Sequence, residues 1–537
     1  MQDFAALIDR LTLTPQRNGK LRLMVDYFAS TPDPDRGYAV AALTGELEIA
    51  SVKPAMLRGL VAERMDEILF RYSYDYVGDL AETISLVWPE SEDPRGDEAP
   101  VPPLSDIVRA LQAASRSDGP RMVESWLDRL DANGRYALLK LVTGALRIGV
   151  TARLTKQALA RYGERDVTGI VEIWHGLEPP YEALFAWLEG RAEKPESAAR
   201  GPFRPVMLAH AVADGDLEKA DPAEYAAEWK WDGIRVQAVS DRGVRRIYSR
   251  TGDDISRSFP DLLEALDFEG AIDGELLVAC HEDDKPVIAP FGDLQQRLNR
   301  KSVSKKLMAS HPAFIRAYDL LHEGETDWRA RPFRERRDAL HEFVEAAASP
   351  RMDLSPLVEF GDWPQLERLR ADPPEVVAEG IMLKRWDSTY QPGRPKGPWF
   401  KWKRDPFLVD AVLMYAQRGH GRRSSFYSDY TFGVWTGEEG EHQLVPVGKA
   451  YFGFTDEELK KIDKYVRDNT IERFGPVRSV RAAPDHGLVL EVAFEGLNRS
   501  TRHKSGIAMR FPRINRLRWD KPPGEADRLE TLQAMLP

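Results

Sequence analysis

Lys230-Trp231-Asp232-Gly233-Ile234-Arg235 lies within AEWKWDGIRVQAV, residues 227–239, where β-branched and aromatic residues stand between polar ones. Such a run reads as strand, and its Asp-Gly pair as a turn. A lysine in a strand is ordinarily a solvated side chain, and an isolated Lys-x-Asp-Gly carries little meaning. Lys230, however, is followed by a turn former and then by Arg235, whose guanidinium is a fork suited to anions. A lysine amine can act as a covalent nucleophile when its surroundings disfavour its protonation. The motif gains that meaning only if partners for it lie elsewhere in the chain.

They do. Tyr248-Ser249-Arg250-Thr251-Gly252 supplies a second arginine, and Asp273-Gly274-Glu275 closes a strand with a carboxylate. Ala317-Tyr318-Asp319 puts an aromatic ring at the end of another strand, and Glu379-Gly380-Ile381-Met382-Leu383-Lys384 adds a carboxylate and a lysine. Trp399-Phe400-Lys401-Trp402-Lys403 alternates, which sends Lys401 and Lys403 to one side of a strand. Arg510-Phe511-Pro512-Arg513, then Arg516, Arg518, Asp520 and Lys521, complete the series. Trp231 and Trp402 read as packing residues of their strands, and Cys280 as an inert buried thiol or a simple strand-end residue.

Outward from this region the character of the chain changes twice. Residues 1 to about 195 read as helical: Phe4, Leu7, Ile8 and Leu11 mark one face, and Val123, Trp126, Leu127 and Leu130 recur at helical spacing within 115–141. ESAARGPFRPV, residues 196–206, reads as a linker. Strand-like segments follow (244–250 and 271–279), with helical pieces at 259–266 and 333–348. From about Asp405, the segments 407–417, 430–439 and 488–497 look like strands of a small barrel, interrupted by a helical 455–467. The expected division is 1–200, 201–404 and 405–537.

The ordered motifs resemble those of the covalent nucleotidyltransferase superfamily, and specifically the ATP-dependent DNA ligases. Gly144-Ala145-Leu146-Arg147-Ile148-Gly149-Val150 resembles the signature of the helical DNA-binding domain of the larger ligases. The resemblance implies a multidomain fold: an all-α DNA-binding domain, an α/β adenylation domain and a C-terminal OB-fold β-barrel. It implies that Lys230 attacks the α-phosphate of ATP, that Glu228 meets the adenine amine, and that Tyr318 and Met382 sandwich the purine. Arg235, Arg250 and Arg394 match residues of the nucleotide and phosphate pocket. Glu275 and Glu379 match carboxylates that contact the ribose and hold Mg2+ (or Mn2+). Lys384, Lys401 and Lys403 match cations around the transferred phosphate, and Arg510 belongs to a barrel that closes over ATP. Arg147, Arg418, Arg422, Arg423, Arg516, Arg518 and Lys521 are the candidate contacts to nicked double-stranded DNA. An RNA ligase or mRNA guanylyltransferase shares the Lys230 motif, and a non-catalytic DNA-binding protein with a degenerate core is a third reading. The intact Lys230, Glu275, Glu379 and Lys403 set argues against the last. Whether the pathway is repair, replication or recombination stays open.

Composition limits the alternatives. At 537 residues the chain holds about three or four domains, and 42% hydrophobic with 30% charged residues excludes a disordered or fibrous class. No apolar run approaches the roughly 18 residues of a membrane span, and the start MQDFAALIDRLTL lacks the pattern of a signal peptide. One cysteine excludes a disulfide framework and the four-cysteine zinc module of NAD-dependent ligases. The expectation is an intracellular monomer without a membrane partner. A net charge of −11 disfavours nucleic acid on its face, but charge distribution matters more than the sum. From Arg394 to Arg404 there are five basic residues and no acid, and from Arg499 to Lys521 eight against Asp520 alone.

Overall fold

The computed structural model describes residues 1–89, 100–144, 146–195, 201–283, 285–298, 300, 302–373, 377–418, 426–437, 442–501 and 503–536. Residues 1–188 bury one apolar core between short helices. Helix Gln2–Leu13 turns Phe4, Leu7, Ile8 and Leu11 inward, the face their spacing predicts. The segment 115–141 is two helices, Asp118–Leu127 and Ala132–Thr143. The break comes from Asp131, whose carboxylate caps the second helix by accepting from the Gly134 amide at 2.8 Å. Arg147, between the helices Ala132–Thr143 and Ala152–Tyr162, is exposed. Of the expected linker, 196–200 lie outside the described residues. No described helix is long and apolar enough to cross a membrane.

The middle region builds two sheets. The smaller runs in the order His210–Ala211, Trp399–Lys403, Ala378–Arg385, Tyr225–Trp231. The larger runs Val244–Ser249, Ile234–Asp241, Gly270–Glu282, Ala313–Glu323, Thr326–Asp327, with two short strands added at its sides. Trp231 therefore ends a strand of one sheet and Ile234 opens a strand of the other. The Asp232-Gly233 step is not a hairpin but the crossing between sheets. Only glycine fits there, because a Cβ at 233 would lie 2.5 Å from the Leu276 carbonyl and 2.7 Å from the Leu277 side chain. Glu275 and Tyr318, expected at strand ends, sit inside long strands, because Gly270–Glu282 and Ala313–Glu323 pair with each other from Gly270 to Val278.

The last region is a curled, mostly antiparallel sheet. Its order is Gln443–Ala450, Tyr427–Thr436, Phe407–Arg418, Val477–Val480, Thr470–Phe474, and Val489–Phe494 links Phe407–Arg418 to Arg513–Arg518. Its inner face buries Leu413, Phe432, Val434, Leu490 and Phe494. Helix Asp456–Asp468 interrupts the strands where the sequence predicts it, opened by a capping box between Thr455 and Glu458. The architecture is all-α, then a nucleotidyltransferase-type two-sheet domain, then an OB-fold barrel.

Candidate active site

Strand alternation sorts the smaller sheet into two faces. Tyr225, Ala227, Ile381 and Leu383, with Phe400 and Trp402, pack into an apolar layer. The opposite parity carries Glu228, Lys230, Met382, Lys384, Lys401 and Lys403 into a cleft of about 580 Å³ between the sheets and the barrel. Glu228, Met382 and Lys401 stand in one cross-strand row. Glu379 has the parity of the apolar Ile381, yet it lines the cleft. The register shifts between Ala378 and Ile381, and that irregularity swings Glu379 to the polar face. From the larger sheet come Arg235, Glu275 and Tyr318, from the turn after Val244–Ser249 Arg250, from the loop before Trp399–Lys403 Arg394, and from the barrel Arg510. All the residues assigned to nucleotide or metal by resemblance thus line one cleft.

Lys230 Nζ donates to Glu379 Oε1. Lys403 Nζ lies 3.1 Å from the other Glu379 oxygen and 3.0 Å from Glu495 of the barrel. Burial opposes the Glu379 anion, but Lys230 and Lys403 outweigh it and hold its pKa below the usual value. Burial likewise opposes the charge on Lys403, and Glu379 and Glu495 outweigh that to raise its pKa. Half-buried Glu275 is different: desolvation, relieved in part by Lys230 and reinforced by Glu379, pushes it up from 4.5 to about 7. Its folded value lies above the unfolded one, so the cost of the anion is absent well below pH 4.5 and complete above about 7. Glu275→Gln is therefore expected to raise the Tm of the ligand-free protein by a few degrees at pH 8 and by clearly less at pH 5.5. Thermal unfolding at the two pH values checks this, and an equal gain at both would contradict it.

At the deep end Glu228 is 2% exposed and takes a cation on each oxygen. Arg337 Nη1 reaches Oε1 at 2.9 Å and Lys384 Nζ reaches Oε2 at 2.5 Å. Lys384 also donates to the Tyr318 carbonyl and stands 4.6 Å from the centre of the Tyr318 ring. Burial lowers its pKa despite Glu228. This corrects the expectation that Lys384 joins Lys401 and Lys403: its ammonium is tied to Glu228 beneath the ring. Arg235 is also committed to the protein. Its Nη atoms bond Asp273 at 2.5 Å, the Tyr390 hydroxyl at 3.0 Å and the Met207 carbonyl at 2.5 Å.

The mouth is cationic. Among the described residues Arg250, Arg394 and Lys401 have no carboxylate partner. Burial first, then Arg394, Lys230, Lys403 and Arg250, lower the pKa of Lys401. Arg510 forks onto Asp232, with Nη2 2.9 Å from Oδ1, and lies 5.1 Å from the Phe291 ring. Asp232, Arg337 and Glu495 escape the sequence reading as site residues. Asp232 is visible there only as a turn former, and nothing near Arg337 or Glu495 in the chain marks them.

The residues expected at DNA are dispersed. Arg147 and Arg418 are exposed, and Arg422 and Arg423 lie outside the described residues. Arg516 pairs with Glu491 at 3.1 Å, Arg518 with Asp410 at 3.2 Å, and Lys521 with Asp410 at 2.8 Å. Among the described residues no three or more His, Cys, Asp and Glu side chains are grouped to hold a metal by themselves. Glu275 and Glu379 are hard oxygen donors, and the cost of the Glu275 anion is what a nearby cation would relieve. They fit a hard cation shared with phosphate oxygens rather than a site built by the protein alone.

A lysine at a strand end, paired to a carboxylate in a cleft between two sheets and capped by an OB-fold, has the layout of a covalent nucleotidyltransferase. Residues 206–403 match the family model described as ATP dependent DNA ligase domain, and residues 423–521 the one described as ATP dependent DNA ligase C terminal region. A probable DNA ligase of Koribacter versatilis is 31% identical, with 99% of this chain and 95% of that protein covered. DNA ligase 1 of Korarchaeum cryptofilum is 29% identical over 99% of this chain and 97% of its own. A solved structure titled Pmar-Lig_PreS3 shares the fold, with a TM-score of 0.57 at 14% identity over 96% of this chain and 99% of that one. The chain belongs to the ATP-dependent DNA ligase family, and it uses ATP. These matches favour DNA ligase over the RNA ligase and guanylyltransferase readings.

Proposed function

We propose that the enzyme seals nicks in duplex DNA through an AMP carried on Lys230. The observation that supports this most is the pairing of Lys230 with Glu379 in the cleft that Arg250, Arg394 and Lys401 also line, three cations with no carboxylate partner among the described residues. Lys230 Nζ attacks the α-phosphate, a P–N bond forms and pyrophosphate leaves. Glu379 is the acceptor at hand for the amine proton. The three cations and Lys403 face the negative charge that develops on the phosphates. Glu228 meets the adenine amine, with Tyr318 and Met382 on the faces of the ring. A nick 5′-phosphate oxygen then takes AMP from Lys230, and the 3′-hydroxyl displaces AMP to close the backbone. Glu275 and Glu379 would hold Mg2+ (or Mn2+) with the phosphates of ATP, and such a cation supplies charge neutralisation at the transferred phosphoryl group. Incubation with α-labelled ATP, GTP or NAD followed by denaturing electrophoresis tests the reading. Label is expected from ATP, and label from GTP or NAD alone would refute it.

The helical region is assigned to gripping the duplex through its phosphates, with Arg147 a contact and Arg418 of the barrel another. Arg516, Arg518 and Lys521 would have to exchange Glu491 and Asp410 for phosphate. Removing residues 1–200 is expected to leave self-adenylation largely intact, since the cleft begins at Leu208. Affinity for a nicked duplex should fall, and the slope of log affinity against log salt should become shallower by about 0.9 for each phosphate that the truncated enzyme no longer neutralises. Unchanged nick affinity in a folded truncation would remove the helical region from that role.

A further inference from the structure

We propose that Arg337 is a positioning residue that makes the cleft selective for a purine carrying an amino group, rather than an oxo group, at position 6. The proposal rests on the reading of Glu228 as the group that meets the base. Arg337 lies on helix Phe333–Ala347, outside every motif of the cleft, and is 7% exposed. Its Nη1 holds Glu228 Oε1 at 2.9 Å, while Nη2 donates to the carbonyl of Ser355. Ser355 is itself buried and accepts from Trp231 Nε1 at 3.1 Å, which ties the same anchor to the strand end that carries Lys230. Lys384 holds the second Glu228 oxygen at 2.5 Å.

A carboxylate that takes a cationic donor on each oxygen has only lone pairs left to offer. The amine at position 6 of adenine brings an N–H to that site. A 6-oxo purine brings an acceptor against an acceptor and leaves both buried and unsatisfied. Without Arg337, Oε1 of a buried Glu228 loses its donor. Oε2 stays held by Lys384, but Oε1 is free to swing away from position 6, so the hydrogen bond to an amine is lost and the clash with a 6-oxo group relaxes. Arg337 thus fixes which hydrogen-bonding pattern the base must present, without touching the base.

The experiment measures protein labelling by full-length enzyme with α-labelled ATP, ITP and purine riboside triphosphate, which has no group at position 6. Arg337→Met is expected to lower the ATP-to-ITP ratio of kcat/KM by about tenfold or more, chiefly through a higher KM for ATP. Purine riboside triphosphate should be used as well by Arg337→Met as by the unmodified enzyme, and Arg337→Lys should recover part of the ratio. An equal loss with ATP and purine riboside triphosphate would overturn the proposal, since Arg337 would then only support the fold. So would an unchanged ATP-to-ITP ratio in a folded variant. Should Arg337→Met fail to fold, Glu228→Gln, whose amide can donate, is held to the same drop in ratio. No label on Lys230 of the unmodified enzyme would instead overturn the reading beneath the proposal, and that result is distinct from the others.

Discussion

Lys230→Ala is expected to form no protein–AMP adduct and to seal no nick when supplied with ATP, while still sealing a nick that already carries AMP on its 5′-phosphate. The amine of Lys230 forms and breaks one bond, to the α-phosphate. In the last step the attacking group is the 3′-hydroxyl of the DNA and the leaving group is AMP, so Lys230 makes no bond there. Its removal also leaves Glu379 its second cation, since Lys403 stays at 3.1 Å. The change should abolish one half of the chemistry and spare the other. Single-turnover sealing of both substrates reads this directly. A variant inactive on the pre-adenylated nick, with its fold intact, would show that Lys230 does more than carry AMP.

Glu379→Ala should fail on both substrates, slower by about a hundredfold or more on each. Glu379 sits between Lys230 and Lys403 and is the carboxylate closest to the reacting amine. Its loss leaves two ammonium groups facing each other without that anion, and on the proposed mechanism it would also remove one of two donors for a divalent cation. On the proposed mechanism, phosphoryl transfer in every step draws on that charge balance. Normal sealing of the pre-adenylated nick by this variant would confine Glu379 to the first step.

The cleft is legible in the sequence to the extent that its residues sit in short local patterns. Lys401 and Lys403 alternate with aromatic residues, and alternation alone predicts the face they share. Glu379 defies the same rule, because its place depends on a register shift that only the neighbouring strand creates. Lys384 reads as a phosphate cation because the sequence shows its charge and not its partner, and Glu228 is more than 150 residues away. Part of the basic run 499–521 has partners that the sequence likewise does not show. Glu491 and Asp410, the acids that meet Arg516, Arg518 and Lys521, come from adjoining strands. Arg337 is invisible, since it is one of several arginines in an amphipathic helix with nothing local to single it out.

The contacts that finish the cleft join residues far apart in the chain: Glu228 to Arg337 across 109 positions, Lys230 to Glu379 across 149, and Asp232 to Arg510 across 278. During synthesis the nucleophile therefore emerges well before the groups that equip it. Each closure must also meet the entropy of a long loop before its contact forms. A chain halted after the helical region and the first strands presents Lys230 without Glu379, Lys401, Lys403 or Arg510. Such a fragment is expected to form no adenylate with ATP, because the groups assigned to the phosphates have yet to be made.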